Sequence, residues 1–153
     1  MSSETERTLA SNRRASFEYF ILETHEAGIA LTGTEIKSIR LGKASLQDGF
    51  ARIEGGDVWL ENVYVAPYEQ GNRANPDPRR RRRLLLHRPE IAKLGSRLAQ
   101  QGLTIIPLRI YLKGRRAKVA LALAKGKKQH DKREAIAERE ATREIERALN
   151  RRG

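Results

Sequence analysis

Five consecutive arginines at residues 79–83 are the side chains whose type and spacing most clearly indicate a chemistry. A guanidinium group donates paired hydrogen bonds to phosphate oxygens, so this run can bind the backbone of RNA or DNA. In an extended chain Arg79, Arg81 and Arg83 face one way, and Arg80 and Arg82 face the other. Adjacent like charges repel, so a polyanion would stabilise the run. The alternative is a solvated, self-repelling loop.

A second basic cluster follows the last predicted strand. It comprises Lys125, Lys127, Lys128, His130, Asp131, Lys132 and Arg133. Gly126 lies inside this cluster and permits an abrupt change of chain direction. The cluster is therefore predicted to be either a polyanion contact or a solvated hinge.

The chain beyond this cluster is rich in helix-forming residues. Arg139, Arg143 and Arg147 recur every four residues and would form one basic stripe on a helix. Glu140 and Glu144 can pair with Arg143 and Arg147 at a spacing of three residues, which gives a self-solvating charged helix as the alternative.

Single residues also have two interpretations each. Glu35 lies at the start of a predicted helix, where the helix dipole favours a carboxylate. In an RNA-binding protein the same carboxylate can accept hydrogen bonds from base amino groups or 2′-hydroxyls. His130 and Tyr19 can stack on a base, or they are ordinary surface or core residues.

Catalytic and metal-binding motifs are not found in the sequence. There is no GxSxG, HExxH or Walker-type glycine loop, and the acidic residues show no paired-carboxylate spacing. Without cysteine the chain has neither disulfides nor a cysteine-ligated zinc site, and its three histidines lack metal-ligand spacing. We therefore expect no enzymatic activity, cofactor or metal; an RNA nuclease on a small barrel is the enzymatic alternative.

The charge balance points to a polyanionic partner. The 153 residues include 31 Lys and Arg against 19 Asp and Glu, a net charge of +12. RNA, DNA and an anionic membrane surface are the candidate partners. No apolar stretch is long enough to span a bilayer, and the first residues lack the apolar core of a secretion signal. We expect a cytoplasmic protein that does not contact membranes.

The elements that must position these groups are mainly strands. Residues 1–14 are polar and are expected to be disordered. Residues 16–24 and 29–32 are predicted to form a hairpin, followed by a helix that Thr34 caps. Strands at 46–54 and 58–65 are joined by Gly55 and Gly56, which tolerate a tight turn.

The second half begins with a long loop over residues 67–82, which is often a functional feature. A helix is predicted from Pro89, and then a hairpin in which Ile106, Leu108 and Ile110 share one buried face. Residues 15–124 are thus expected to form a small closed OB-like barrel with two short flanking helices; a β-sandwich is the alternative. Residues 125–153 form a tail that is disordered or conditionally helical.

Several spaced blocks resemble SmpB, the tmRNA-binding protein family of bacteria, over residues 12–147. The blocks are Asn12-Arg13-Arg14-Ala15, Ala27-Gly28-Ile29, Gly33-Thr34-Glu35-Ile36-Lys37-Ser38, Pro67-Tyr68, Arg83-Leu84-Leu85-Leu86-His87, Lys125-Gly126-Lys127-Lys128 and Asp131-Lys132-Arg133. One departure is Asp48-Gly49-Phe50, where the family more often has Asp-Ser-Tyr.

The resemblance implies a non-enzymatic OB-type barrel that binds the tRNA-like domain of tmRNA. It implies delivery of alanyl-tmRNA to stalled ribosomes for trans-translation, with the tail helical in the empty mRNA channel near the small-subunit decoding centre. Alanyl-tRNA synthetase and elongation factor Tu would act on the same RNA. The alternative is a generic basic RNA-binding or ribosome-associated protein without tmRNA specificity.

Two sets of site residues follow from the basic clusters and the resemblance together. The residues expected to contact RNA are Asn12, Arg13, Arg14, Tyr19, Glu35, Lys37, Arg79, Arg80, Arg81, Arg82 and Arg83. The residues expected to contact the ribosomal decoding region are Lys125, Lys127, Lys128, His130, Asp131, Lys132, Arg133, Arg139 and Arg143.

Overall fold

The computed structural model describes residues 5–70, 75–100 and 102–151 of the chain. Within these ranges strands predominate. The elements are β1 (Glu6–Ser11), α1 (Ala15–Glu18), β2 (Tyr19–Ile29), α2 (Gly33–Arg40), β3 (Ala44–Ser45), β4 (Phe50–Glu54), β5 (Asp57–Glu61), β6 (Tyr64–Val65), β7 (Arg82–Leu85), α3 (Arg88–Leu98), β8 (Leu103–Lys113), β9 (Arg116–Gly126) and α4 (Gln129–Arg151).

The main sheet closes on itself. Its strand order is β8-β4-β5-β7-β2-β9, and β9 pairs again with β8, so six antiparallel strands form a ring. Closure leaves these strands without open edges. The short pair β3–β6 forms a separate small sheet. The prediction of a mainly β, closed sheet with two flanking helices is confirmed, and the sandwich alternative is wrong because one ring carries the core.

The interior of the ring is packed with aliphatic side chains. Leu60, Ile105, Ile110 and Leu121 have no exposed surface, and helix α3 adds the equally buried Leu94. Burial of each such side chain contributes about 2 kcal/mol. The ring is therefore a filled core with no space for a ligand at its centre, and function must lie on its outside.

The predicted single apolar face of β8 is interrupted by a bulge between Pro107 and Arg109. A bulge inserts one unpaired residue and so exchanges the faces on which later side chains lie. Ile105 before the bulge and Ile110 after it both enter the main core, whereas Ile106 packs in a second cluster with Ala122. The strict alternation that we expected is therefore wrong at this point.

The N-terminal segment is more ordered than expected. Residues Glu6–Ser11 form β1, which pairs antiparallel with the second half of β8, and Arg109 forms an ion pair with Glu6 at 3.0 Å. The expectation of disorder over residues 1–14 is therefore wrong for this strand. Its polar composition hid it, because its stability comes from pairing with a strand a hundred residues away. Residues 1–4 lie outside the described part of the chain.

Strand β2 is continuous where a hairpin was predicted. It pairs with β9 from Tyr19 to Gly28, and one helical turn, α1, precedes it. Gly28 is not a turn residue but a point of close approach, since a Cβ there would lie 3.2 Å from the Cβ of Leu85. The prediction of strands at 16–24 and 29–32 is therefore wrong in its division, although most of its residues are in a strand.

The predicted local signals elsewhere are mostly present. Gly55 and Gly56 have φ values of 60° and 82° and join β4 to β5, which confirms the predicted turn. Helix α3 has Pro89 in its first turn, as predicted. Helix α2 is capped by Thr32 rather than Thr34.

The tail forms α4, a 23-residue helix, which confirms its helical propensity. Residues 136–150 are all exposed, including Ile145 and Leu149. The helix therefore projects from the ring along most of its length. Whether the tail needs the ribosome to become helical stays a prediction.

Candidate nucleic-acid interface

The arginine run alternates between the interior and the surface, as its extended conformation predicted. Arg80 and Arg82 point toward the junction of α2 with the ring, where both contact Glu35. Arg81 and Arg83 lie on the outside of the ring, where they pair with carboxylates of β4 and β5. Each of these four arginines thus has an acidic partner within the protein.

The inward contacts form a buried ion cluster. Glu35 is 3% exposed and Arg82 is 1% exposed, and Arg82 Nε lies 2.6 Å from Glu35 Oε2. Arg80 Nη2 donates to Glu35 Oε1 at 2.5 Å. The remaining donors of Arg82 reach the backbone oxygens of Val63 at 2.9 Å and Pro78 at 3.1 Å. The cluster therefore ties the end of the long loop to α2.

Glu35 also completes the N-terminus of α2. Its carboxylate accepts the backbone N–H of Thr32 at 2.9 Å, while the Thr32 hydroxyl accepts the backbone N–H of Glu35 at 3.2 Å. This is a reciprocal capping box. Burial alone would raise the pKa of Glu35, but hydrogen bonds from Arg80 and Thr32 and the charge of Arg82 outweigh it and lower the pKa below its ordinary value. Glu35 is thus ionised and fully used inside the fold.

Two predicted RNA contacts are buried in this structure. The burial of Glu35 and Arg82 does not favour direct contact with RNA, and that contact stays a prediction. The helix-dipole interpretation of Glu35 was closer, because the carboxylate does cap α2, but it missed the two arginines. Burial also lowers the pKa of Arg82 from its ordinary value, although the carboxylate of Glu35 opposes that effect.

The outward arginines lie on an ion-pair network of their own. Arg81 stacks over the ring of Trp59 at 4.0 Å and pairs with Glu54 at 2.9 Å. Arg83 pairs with Asp57 at 2.9 Å, and Arg79 donates to the side-chain oxygen of Asn62 at 3.0 Å. The expectation that the run needs a polyanion for its stability is not supported, because carboxylates of α2, β4 and β5 already pair with four of the five arginines.

The predicted N-terminal contacts are split between support and surface. Asn12 donates its side-chain amide to the oxygen of Pro107 at 3.1 Å, next to the β8 bulge. Arg13 is exposed, and Arg14 pairs with Glu18 at 3.3 Å. Asn12 therefore pins the chain to the ring, and the two arginines are available at its surface.

Tyr19 and Lys37 were also predicted to contact RNA. Tyr19 packs partly against the second apolar cluster. Lys37 is exposed on α2, and its ammonium lies 5.5 Å from the ring centre of Tyr68. Of these two predicted contacts, the structure thus exposes Lys37 and partly buries Tyr19.

Sequence reasoning missed a groove of about 970 Å³ between the β8–β9 turn and the end of β7. Its lining includes exposed Leu85, the cations Arg115, Arg116 and Lys118, and the carboxylates of Glu26 and Glu90. Among the described residues none of these three cations has an acidic partner within ion-pair distance. The only signal in the sequence was the basic turn itself, which is far less conspicuous than five adjacent arginines.

The residues of the second basic cluster divide by exposure. Lys125 and Lys128 are exposed, whereas Lys127 is half-buried against α1. His130 pairs with Glu134 at 3.1 Å, and Asp131 accepts the backbone N–H of Lys128 at 3.1 Å at the start of α4. Asp131 and His130 are thus used locally within α4.

The remaining predicted decoding-region contacts lie along α4. Lys132 is near Phe17 of α1, and Arg133 is exposed. Arg139 and Arg143 are exposed further along. In the described part of α4, Glu140 is not within ion-pair distance of Arg143. The predicted self-solvating pairing is therefore wrong here, and the basic stripe remains unpaired.

The described residues contain no group of three or more His, Asp or Glu side chains that could hold a metal ion. None of the helices in the described ranges is long and apolar enough to cross a membrane. Taken together, a filled six-stranded ring, a groove with three cations in its lining and an exposed basic helix define a small β protein whose surface suits a polyanion.

Comparisons with known proteins identify the family. A family model described as SmpB protein matches residues 9–151. An SsrA-binding protein of Desulforudis audaxviator is 60% identical over 148 residues, 97% of each chain. One of Roseiflexus sp. is 56% identical over 151 residues, 98% of this chain and 96% of the relative.

A solved chain supports the same assignment. It comes from a structure described as "tmRNA-SmpB: a journey to the center of the bacterial ribosome" and is 51% identical, with a TM-score of 0.67. The match covers 88% of this chain and 95% of the solved one. The protein belongs to the SmpB family, as the resemblance of its sequence blocks indicated.

Proposed function

We propose that the protein binds the tRNA-like domain of tmRNA and delivers alanyl-tmRNA to stalled ribosomes for trans-translation. Family membership supports the proposal, because the similar proteins are named for SsrA binding. The role is that of a binding and delivery protein, without an enzymatic step. Its partners would be tmRNA, the small-subunit decoding centre and mRNA channel, and, on the same RNA, alanyl-tRNA synthetase and elongation factor Tu. Such a protein works in the cytoplasm.

The observation that carries this proposal is the division of unpaired positive charge between two separate places. The first is the ring, with the groove cations Arg115, Arg116 and Lys118. The second is the exposed helix α4, with Arg139 and Arg143. A partner with two phosphate-rich parts matches this arrangement, and a folded RNA presented to a ribosome is such a partner.

The proposed contact set changes with the structure. Glu35 and Arg82 become supports of the loop and of α2. The remaining proposed RNA contacts are Asn12, Arg13, Arg14, Tyr19, Lys37, Arg79, the half-buried Arg80, Arg81 and Arg83, joined by Arg115, Arg116 and Lys118 of the groove. Arginines that already pair with carboxylates would exchange those partners for phosphate, so we expect them to contribute less than the unpaired cations of the groove.

Removal of residues 129–153 tests the division of labour. This cut leaves β9 and its pairing with β2 and β8 intact. The truncated protein is expected to bind tmRNA with nearly unchanged affinity in a gel-shift titration, but to support no peptide tagging on stalled ribosomes. Loss of RNA binding on truncation would contradict the proposed division.

The competing functions give different results in the same titration. A generic basic RNA-binding protein would bind a structured RNA of equal length as tightly as it binds tmRNA. A nuclease would shorten the RNA during incubation, and substitution of one carboxylate would abolish that. We expect preference for tmRNA and no turnover.

A further inference from the structure

The root of α4 is held against the ring by a lysine that sequence reasoning assigned to the ribosome. Only Lys127 and Lys128 separate β9 from α4. The backbone N–H of Lys127 donates to the carbonyl oxygen of Glu18 at 2.8 Å. Its ammonium donates to the carbonyl oxygen of Ser16 at 2.9 Å and lies 5.0 Å from the ring centre of Phe20. Lys127 is thus directed toward α1 and the start of β2.

The first turn of α4 touches the same place. The ammonium of Lys132 lies 5.9 Å from the ring centre of Phe17, and the guanidinium of Arg14 lies 5.5 Å from that ring. Arg14 in turn pairs with Glu18 at 3.3 Å. Phe17 is therefore close to one cation of the segment before α1 and to one cation of the tail, and its aromatic face attracts both.

The neighbouring lysines show that this arrangement is specific. Lys125 and Lys128 are exposed. The backbone N–H of Lys128 contacts Asp131, but among the described residues its ammonium has no acidic partner within ion-pair distance. Lys127 thus faces the body of the protein, meaning the strand ring with α1, while Lys125 and Lys128 are free to contact a polyanion.

The contacts at the root of α4 control where the far end of the helix lies. A helix of 23 residues is about 35 Å long at 1.5 Å per residue. A rotation of about 20° at its root would move its far end by roughly 12 Å, about the diameter of a helix. Since residues 136–150 are exposed, the contacts at the root are what can fix the direction of the helix.

We propose that α1 is a clasp for the tail and that Lys127 is its positioning residue, which sets the direction of α4 by binding the body instead of ribosomal RNA. The inference that the direction of α4 matters for ribosome rescue rests on the proposed function. The clasp itself does not, because it is a property of the isolated protein.

The clasp can be measured directly because the chain has no cysteine. The exposed residues Ser96 on α3 and Ala141 on α4 can be replaced by Cys and spin-labelled. Pulsed electron–electron double resonance on the full chain, without RNA, then gives the distribution of distances between the label on α3 and the label on α4. The unaltered clasp is expected to give one narrow distribution.

Lys127→Met keeps the aliphatic stem and removes the ammonium, and Lys128→Met is the matched control for loss of one charge. A charge-assisted hydrogen bond at a half-exposed site shifts the docked-to-undocked ratio by about tenfold. Lys127→Met is therefore expected to broaden the distribution and Lys128→Met to leave it narrow. Phe17→Ala should broaden it as well. A narrow distribution in Lys127→Met, or equal broadening in Lys128→Met, would overturn the clasp.

The functional arm separates the two proposals. Lys127→Met should leave tmRNA affinity unchanged, while tagging on stalled ribosomes falls with the docked fraction, by at most about tenfold. Broad distances with full tagging would show that α1 holds the tail but does not direct its function. Failure of the unaltered protein to bind tmRNA would overturn the proposed function and leave the distance result standing.

Discussion

Replacement of Glu35 by Gln is the most informative single change, because Glu35 is the shared anion of a buried cluster. It keeps the shape of the side chain but leaves Arg82, which is 1% exposed, without a counter-charge. Removing one partner of a buried ion pair costs about 3–5 kcal/mol. Arg80 is 31% exposed and can turn toward water, and the amide oxygen of Gln can still accept one hydrogen bond, so we expect about 3 kcal/mol.

Urea denaturation measures this loss as a lower midpoint at an unchanged slope. The matched control is Glu54→Gln, since Glu54 also contacts two arginines but is 53% exposed. That exposed network should lose less than about 1 kcal/mol. The reasoning is refuted if Glu35→Gln keeps the wild-type midpoint while binding RNA more weakly, because Glu35 would then act on RNA directly.

The remaining predictions concern pH, salt and close packing. Because the pKa of Glu35 is lowered from its ordinary 4.5, the stability advantage over Glu35→Gln should be constant near pH 7 and shrink as acid titration passes below 4.5 toward the folded pKa. Replacing Arg115 and Arg116 by Gln should reduce the salt slope of tmRNA binding by about 1.8, at about 0.9 per phosphate contact; an unchanged slope would exclude these two groove cations. Gly49→Ala should cost about 1–3 kcal/mol of unfolding free energy, because its Cβ would lie 2.6 Å from Val63. Gly33→Ala, with open space around it, is the control and should not be destabilising.

The sequence was informative where a signal is local. Adjacent glycines placed the β4–β5 turn, and Pro89 with helical spacing placed α3. The direction of alternate arginines also followed from strand geometry alone. Each of these features is determined by residues close together in the chain, so the local sequence pattern is enough to predict it.

The sequence was uninformative where the deciding contact is distant. Glu35 and Arg82 are 47 residues apart, and neither pattern nor charge count shows that they meet. The same is true of β1, whose partner strand comes a hundred residues later. The bulge at Leu108 exchanged the faces of β8 because of backbone geometry that side-chain alternation does not encode. Part of the most conspicuous basic motif, Arg80 and Arg82, thus binds Glu35 within the fold, while the groove beside the β8–β9 turn was not predicted.

The way in which β9 closes the ring has a consequence for synthesis of the protein. β9 pairs with β2 on one side and β8 on the other, so the body cannot be completed until residue 126 has been translated. Chains dominated by such distant pairings assemble late and slowly. If its own message is cut short before that codon, the nascent product has an open β-sheet and is prone to aggregate. A protein that clears interrupted translation would therefore itself be highly vulnerable to such interruption.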